Sequence, residues 1–241
     1  MILHMSGNKI NSIQRETFIH NGKLGVLSLD RNIITDIHPS TFRNNSILFF
    51  LDTSISGNKI NKMKPYTFLR NSELLFIDLK GNIITDVHPT FRNDSRLTHL
   101  NISGNELTTT DLQTFSSNRE LKRLDLQNNT ITDVDPSTFR NNSRLTNIDM
   151  SGNKINSIDP ETFVHNMELE LLHLERNCIT NIHTSTFRNN SRLTHLDMSG
   201  NKFTTIDLQT FSSNRELQWM DLKNNKITNV HPSTFQNKGK N

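Results

Sequence analysis

Apolar residues return along this chain at a fixed interval. Leu24, Leu27 and Leu29 are spaced L-x-x-L-x-L, and Leu121, Leu124 and Leu126 repeat the spacing. An asparagine stands three residues after the last leucine. The asparagines so placed are Asn8, Asn32, Asn58, Asn82, Asn105, Asn129, Asn153, Asn177, Asn201 and Asn225. They lie 24 residues apart, except for 26 before Asn58 and 23 before Asn105. Apolar residues follow each anchor two and five positions on, as Ile34 and Ile37 follow Asn32. A Thr-Phe pair comes next in all ten copies, from Thr17-Phe18 to Thr234-Phe235. A second asparagine usually sits three residues past the phenylalanine, as Asn45, Asn118, Asn142 and Asn190 do.

The spacing has a physical reading. In L-x-L the two leucines point one way and the intervening residues the other, so this segment predicts a short strand. One coil cannot bury its apolar side alone; neighbouring coils must stack and share one core. Successive strands then become parallel neighbours about 4.8 Å apart. The anchor asparagine falls where the strand ends and the chain bends inward, and its amide is suited to backbone groups that no strand pairs. The phenylalanine column fills the far side of the coil.

The pattern L-x-x-L-x-L-x-x-N-x-I-x-x-I-x-x-x-T-F resembles the 24-residue type of leucine-rich repeat found in Toll-like receptors, Slit and chaoptin. The resemblance covers nearly the whole chain, because ten copies keep phase. It implies an α/β solenoid of leucine-rich-repeat type: a right-handed arc with short parallel strands on the concave side and irregular or 3₁₀ turns on the convex side. It also implies a non-catalytic scaffold for protein recognition, in an extracellular or cell-surface setting. Residues 1–241 read as a single domain of about ten repeats. Extracellular members carry cysteine-rich caps, and this sequence shows none, so both ends read as truncated and uncapped.

Three departures set expectations. Thr53 and Thr110 occupy positions that should be apolar. The two extra residues of the long repeat are placed near Leu48-Phe49, where a bulge and weaker packing of the second and third full coils are expected. Repeats also alternate between Ser-Gly-Asn anchors and others such as Asp30-Arg31-Asn32, and residues 95–141 nearly duplicate 191–237. The building block is a tandem 48-residue pair.

Composition changes little in this picture. A hydrophobic content of 32% would be thin for an aperiodic core, but it is concentrated at the repeated positions. A net charge of +3 is too small to demand nucleic acid or membrane as partner. The single Cys178 excludes an intrachain disulfide framework and any cysteine-based metal cluster. Residues 1–20 hold no apolar block with a cleavage site, and no apolar run is long enough to span a bilayer. No cofactor is implied.

The candidate surface is read from positions six, four and two before each anchor. The six-back column runs Val26, Asp52, Phe76, His99, Arg123, Asn147, Leu171, His195, Trp219. The four-back column carries Asp78, Asp125, Asp149, His173, Asp197 and Asp221. Exposed aromatics beside carboxylates are the composition of a protein interface, and a protein or peptide partner is expected there. Solubility at strand ends would produce the same aspartates. His195, Asp197 and Ser199 share a strand and a side, but alternate strand residues lie about 6.6–7 Å apart, too far for a hydrolytic triad. Asp149, His173 and Asp197 sit side by side across three coils; parallel side chains converge poorly, and no metal is expected.

Two further columns lie on the flank. Arg92 and Arg96, Arg140 and Arg144, and Arg188 and Arg192 form a basic row, the alternative reading being a sulfated polysaccharide or similar polyanion. It lacks the aromatic platform that single-stranded nucleic acid needs. Sequons occur at Asn44, Asn93, Asn101, Asn128, Asn141 and Asn189. Glycans on the four in phase, Asn44, Asn93, Asn141 and Asn189, would leave the concave sheet free; one on Asn101 would obstruct it. His38, His88, His183 and His231 recur in a turn column. A structural or decayed duplicate without ligand is the remaining reading, which the near-identity of 95–141 and 191–237 favours.

Overall fold

The computed structural model describes residues 1–54, 58–64, 67–87, 91, 96–110 and 115–230. Ten three-residue strands pair in chain order into one parallel sheet: Ile2–His4, Val26–Ser28, Phe50–Asp52, Phe76–Asp78, His99–Asn101, Arg123–Asp125, Asn147–Asp149, Leu171–His173, His195–Asp197 and Trp219–Asp221. The middle residue of each strand is the second leucine-type position of the repeat. Leu27, Leu51, Ile77, Leu100, Leu124, Ile148, Leu172 and Leu196 are all at most 2% exposed, which is the alternation the sequence predicts.

The anchor asparagines work as intended by their place. Asn129 Nδ2 donates to Leu126 O in its own coil and to Ile102 O in the coil before, each at 3.0 Å, while its Oδ1 accepts from Leu107 N at 3.0 Å. Asn153, Asn177 and Asn201 repeat this bridge. One side chain thus pairs three backbone groups at a bend where strand pairing has ended. The second asparagine column forms a parallel ladder: Asn142 Nδ2 donates to Phe115 O and Asn118 O at 3.0 and 2.8 Å.

The bend itself needs the left-handed backbone region. Gly7, Gly104, Gly152 and Gly200, each just before the anchor of a Ser-Gly-Asn repeat, have φ between 63° and 69°, and Gly81, in an alternate repeat, has 68°. Arg31, Asn128, Arg176 and Asn224 hold the same place in the alternate repeats with φ between 52° and 56°. The 48-residue alternation therefore has a backbone meaning, with Gly81 as its exception: glycine meets the requirement without a Cβ penalty, and Arg31, Asn128, Arg176 and Asn224 meet it with strain.

On the far side the phenylalanines stack in file. Phe18, Phe42, Phe68 and Phe91 lie 6.0–6.1 Å apart between ring centroids, and Phe139, Phe163, Phe187 and Phe211 lie 5.8–6.2 Å apart. The outer turns hold a 3₁₀ turn at Leu208–Phe211, of the kind the resemblance implies, and one feature the repeat text does not announce: short parallel pairs between Thr109–Thr110 and Asp133–Val134 and between Thr205–Ile206 and Asn229–Val230.

The long repeat corrects the expectation of a bulge at Leu48-Phe49. Val26 pairs with Phe50 and Ser28 with Asp52 in uninterrupted register, and Leu48 and Leu51 are fully buried. The extra residues lie after the strand, between Thr53 and Asn58. Core leucines fix the strand entry, so added chain leaves at the exit. Thr53 is fully buried, and its hydroxyl donates to Asp78 O at 3.3 Å, so a polar group at an apolar position is satisfied rather than stranded. The side chain of Thr110, together with Thr234, Phe235 and His231, lies outside the described residues.

Candidate functional site

Because each strand is only three residues long, its first and third side chains project from the open side of the sheet and its middle one is buried. Two rows result. In the outer row Phe50, Phe76, His99, Arg123, Asn147, Leu171, His195 and Trp219 are neighbours in register. Phe50, not Asp52, occupies this row; Asp52 pairs with Asp78 instead. The sequence count from Asn58 misassigned both, because the two extra residues intervene between strand and anchor.

The outer row begins as an aromatic stack. Phe50 and Phe76 are 6.0 Å apart between centroids, and Phe76 and His99 are 4.2 Å apart with nearly parallel planes. Burial pushes the His99 imidazole pKa down, and the positive charges of Arg123 and Lys122 push it further the same way. At the other end His195 and Trp219 meet at 6.1 Å. Phe76 and Trp219 remain about two-fifths exposed, unlike any core aromatic.

The inner row is acidic: Asp52, Asp78, Asp125, Asp149, Asp197 and Asp221, interrupted by Asn101 and His173. Each aspartate has a structural duty. Asp78 Oδ1 accepts from Lys80 N at 2.9 Å, Asp125 Oδ1 from Gln127 N at 3.1 Å, and Asp197 Oδ1 from Ser199 N at 2.9 Å. These bonds close the turn at the strand exit. Burial raises the carboxyl pKa of Asp78, and the charge of Asp52 raises it further; Asp149 is raised likewise by burial and by Asp125. Between the rows lies a shallow open hollow of about 360 Å³, reached by Phe50, Phe76, Asp78, Arg123, Asp149 and His173.

The chemistry weighed in the sequence resolves differently at each place. His195 Nδ1 lies 2.9 Å from Thr194 Oγ1 and Asp197 turns to a backbone amide, so no triad is assembled. Around His173 the structure groups Glu175 and Asp197, with one ligand-type atom from each within 4.8 Å of the others. Glu175, two residues before Asn177, was missed; its signal was an acidic residue on the same side as His173, one step along the strand exit. The Glu175 carboxylate beside Nδ1 raises the His173 pKa against the effect of burial, and Asp149 and Asp197 add to it. Burial pushes the Glu175 carboxyl up, but His173, a backbone amide and the charge of Arg176 together hold it below its usual value.

On the flank, most of the basic row is already paired. Arg96 meets Glu73, Arg144 meets Glu120, Arg188 meets Glu161 and Arg192 meets Glu168, each from an earlier coil. Arg140 is exposed, and Arg92 lies outside the described residues. Of the sequons, Asn44, Asn128 and Asn141 are exposed and Asn189 is partly so, while the intervening Asn45, Asn142 and Asn190 are buried. Asn93 lies outside the described residues. Asn101 sits in the acidic row. His38 and His183 close turns, each Nδ1 accepting from a serine amide two residues on, at 3.0 and 3.2 Å; His88 lies outside the described residues. No helix among the described residues is long and apolar enough to cross a membrane.

A family model described as leucine rich repeat matches residues 1–54 and, in overlapping windows, 95–239. No curated protein matches the chain by sequence. Among solved structures, the TLR13–ssRNA13 complex superposes with a TM-score of 0.84 at 25% identity, over 92% of this chain and 32% of that one. The Toll–Spatzle complex of Drosophila gives 0.84 at 22% identity over 95% of this chain and 32% of that one. A leucine-rich repeat protein of Leptospira interrogans gives 0.82 at 22% over 96% and 56%. The chain thus spans between about a third and just over half of these proteins.

Proposed function

The chain belongs to the leucine-rich repeat family, and from that premise we propose that it is a non-catalytic recognition module that holds a protein or peptide segment bearing basic side chains across its concave sheet. The observation that carries this reading is the double row: stacked, partly exposed aromatics beside carboxylates that burial keeps poorly solvated. A guanidinium or ammonium group laid over Phe76 or Trp219 gains from the ring face and from the neighbouring aspartates together. From Phe76 to Trp219 the row crosses six strand steps, about 29 Å, which is the reach of an extended segment of about nine residues.

The related structures support a recognition role in general. The TLR13 structure is a complex with ssRNA13; here the acidic row repels phosphate, which favours protein over nucleic acid. Polyanion binding by the arginine row is the weaker reading, because Arg96, Arg144, Arg188 and Arg192 already face glutamates. The sequons and the kinship with receptor ectodomains favour an extracellular or cell-surface, receptor-like setting.

The test is to pan a display library of random twelve-residue peptides on the intact chain. Selected peptides are expected to be rich in Arg and Lys and to lose affinity for the double variant Leu171→Ala/Trp219→Ala, which keeps its circular dichroism spectrum. Selection of acidic peptides, or affinity unchanged in that variant, counts against the concave reading.

A further inference from the structure

We propose that His173, Glu175 and Asp197 form a binding site for a divalent transition-metal ion of the zinc class on the open side of the sheet, towards its C-terminal end. His173 and Asp197 come from adjacent strands of the parallel sheet, in register, and Glu175 follows His173 past the strand end. One potential ligand atom from each lies within 4.8 Å of the others.

Three observations point to an ion rather than to a mere ion pair. First, Glu175 Oε2 is buried and has no hydrogen-bond partner, an unfavourable arrangement for a polar group. Second, its nearest opposite charge, His173 Nδ1, stands 3.7 Å away, too far for a hydrogen bond. That separation is close to the roughly 3.4 Å between two ligands bound at about 2.0–2.2 Å to one tetrahedral ion. Third, Asp197 spends only Oδ1 on the backbone, accepting from Ser199 N at 2.9 Å, so its other oxygen is available to a ligand.

The donor set selects the metal. One imidazole nitrogen with two carboxylate oxygens suits zinc, cobalt, nickel or copper; calcium and magnesium prefer oxygen alone. Three protein ligands leave a coordination position open towards the hollow. The expectation of poor convergence concerned Asp149, His173 and Asp197 along the ladder; the group here is completed by Glu175, which lies past the strand end. Asp149, the third member read from the sequence, stays beyond this group. The site stands on its own geometry and is independent of any peptide ligand.

Calorimetric titration of the intact chain with zinc chloride in a non-chelating buffer tests it. One saturable site is expected. His173→Ala should weaken it by more than the roughly tenfold that loss of an outer partner costs; Glu175→Gln, which keeps size and fold, should do so too. His165→Ala, an exposed histidine on the flank, should leave it unchanged. Cobalt substitution supplies a second readout, a visible absorption band that the His173→Ala variant loses. No saturable binding, or equal affinity in wild type and His173→Ala, overturns the proposal.

Discussion

Asn101 stands in register between Asp78 and Asp125, and its amide donates to Asp78 Oδ2 at 3.3 Å. Its Oδ1 accepts from Ser103 N at 3.0 Å, the same turn-closing bond that the aspartates make. An amide therefore does the structural work of this row as well as a carboxylate. What the carboxylate adds is negative charge, at a cost in desolvation that the raised pKa of Asp78 records.

Replacing Asp78 with Asn separates the two roles. The folded Asp78 pKa lies above 3.8, so the native state takes up its proton more readily than the unfolded chain. Stability contributed by this residue accordingly falls as pH rises from 3.8 through the native pKa, and stays lower above it. Asp78→Asn removes that loss and the like charge opposite Asp52. It should raise stability near neutral pH by about 0.5 kcal/mol, with no gain well below the carboxylate range. It should also weaken basic peptides. Thermal unfolding across pH checks the first claim; an equal gain at all pH values refutes the electrostatic account.

The asparagine ladder should dominate local stability. Asn129→Ala leaves the buried Leu107 N without a partner, at about 1–3 kcal/mol, and takes one of two asparagine donors from each of Ile102 O and Leu126 O, which keep Asn105 and Asn153. A loss of about 2 kcal/mol is expected in urea unfolding. Asn8 makes its corresponding bonds in an exposed turn, so Asn8→Ala should cost less than about 0.5 kcal/mol. Similar losses at both positions would show that helpful geometry, not burial, sets the magnitude.

The left-handed residues before the anchors predict opposite effects in the two repeat classes. Gly200 has φ +64° and an added Cβ would lie 3.4 Å from the Arg176 side chain, so Gly200→Ala meets backbone strain more than collision. It should cost about 1–2 kcal/mol. Arg31, at φ 53°, bears that strain already; Arg31→Gly should gain up to about 0.5 kcal/mol once the extra freedom of the unfolded chain is counted. Paired denaturation curves give both signs directly.

Most of the fold was legible because its determinants are periodic. Leu124, Asn129 and Phe139 each mean one thing at one offset, and the coil before and after repeats the statement. Legibility failed where a residue's role depends on the coil next door or on an irregular length. Counting back from Asn58 put Asp52 in the outer row and hid Phe50, because the count crossed two extra residues that the buried Leu48 and Leu51 displace to the strand exit. Glu175 shares the side of His173, but its closeness to both His173 and Asp197 depends on side-chain placement past the strand end, which the repeat pattern does not give. The pairing of Arg144 with Glu120 was hidden for a related reason: 24 residues separate them, and only stacking makes them adjacent.

The sequons provide a test of which faces are open. Asn44, Asn141 and Asn189 each donate one amide hydrogen to a carbonyl of the coil before, at 3.0–3.1 Å, and present the remaining hydrogen outward. Asn101 differs. Its amide faces Asp78, and its oxygen accepts from both the amide and the hydroxyl of Ser103, within a strand of the acidic row. A glycan on Asn101 would have to displace the Asp78 contact and cover the hollow. In a glycosylating secretory host, peptide mapping should therefore find the flank asparagines occupied and Asn101 bare. Occupancy of Asn101 to the same extent as Asn141 would mean that the concave sheet is already covered as made, and would remove the surface on which peptide recognition depends.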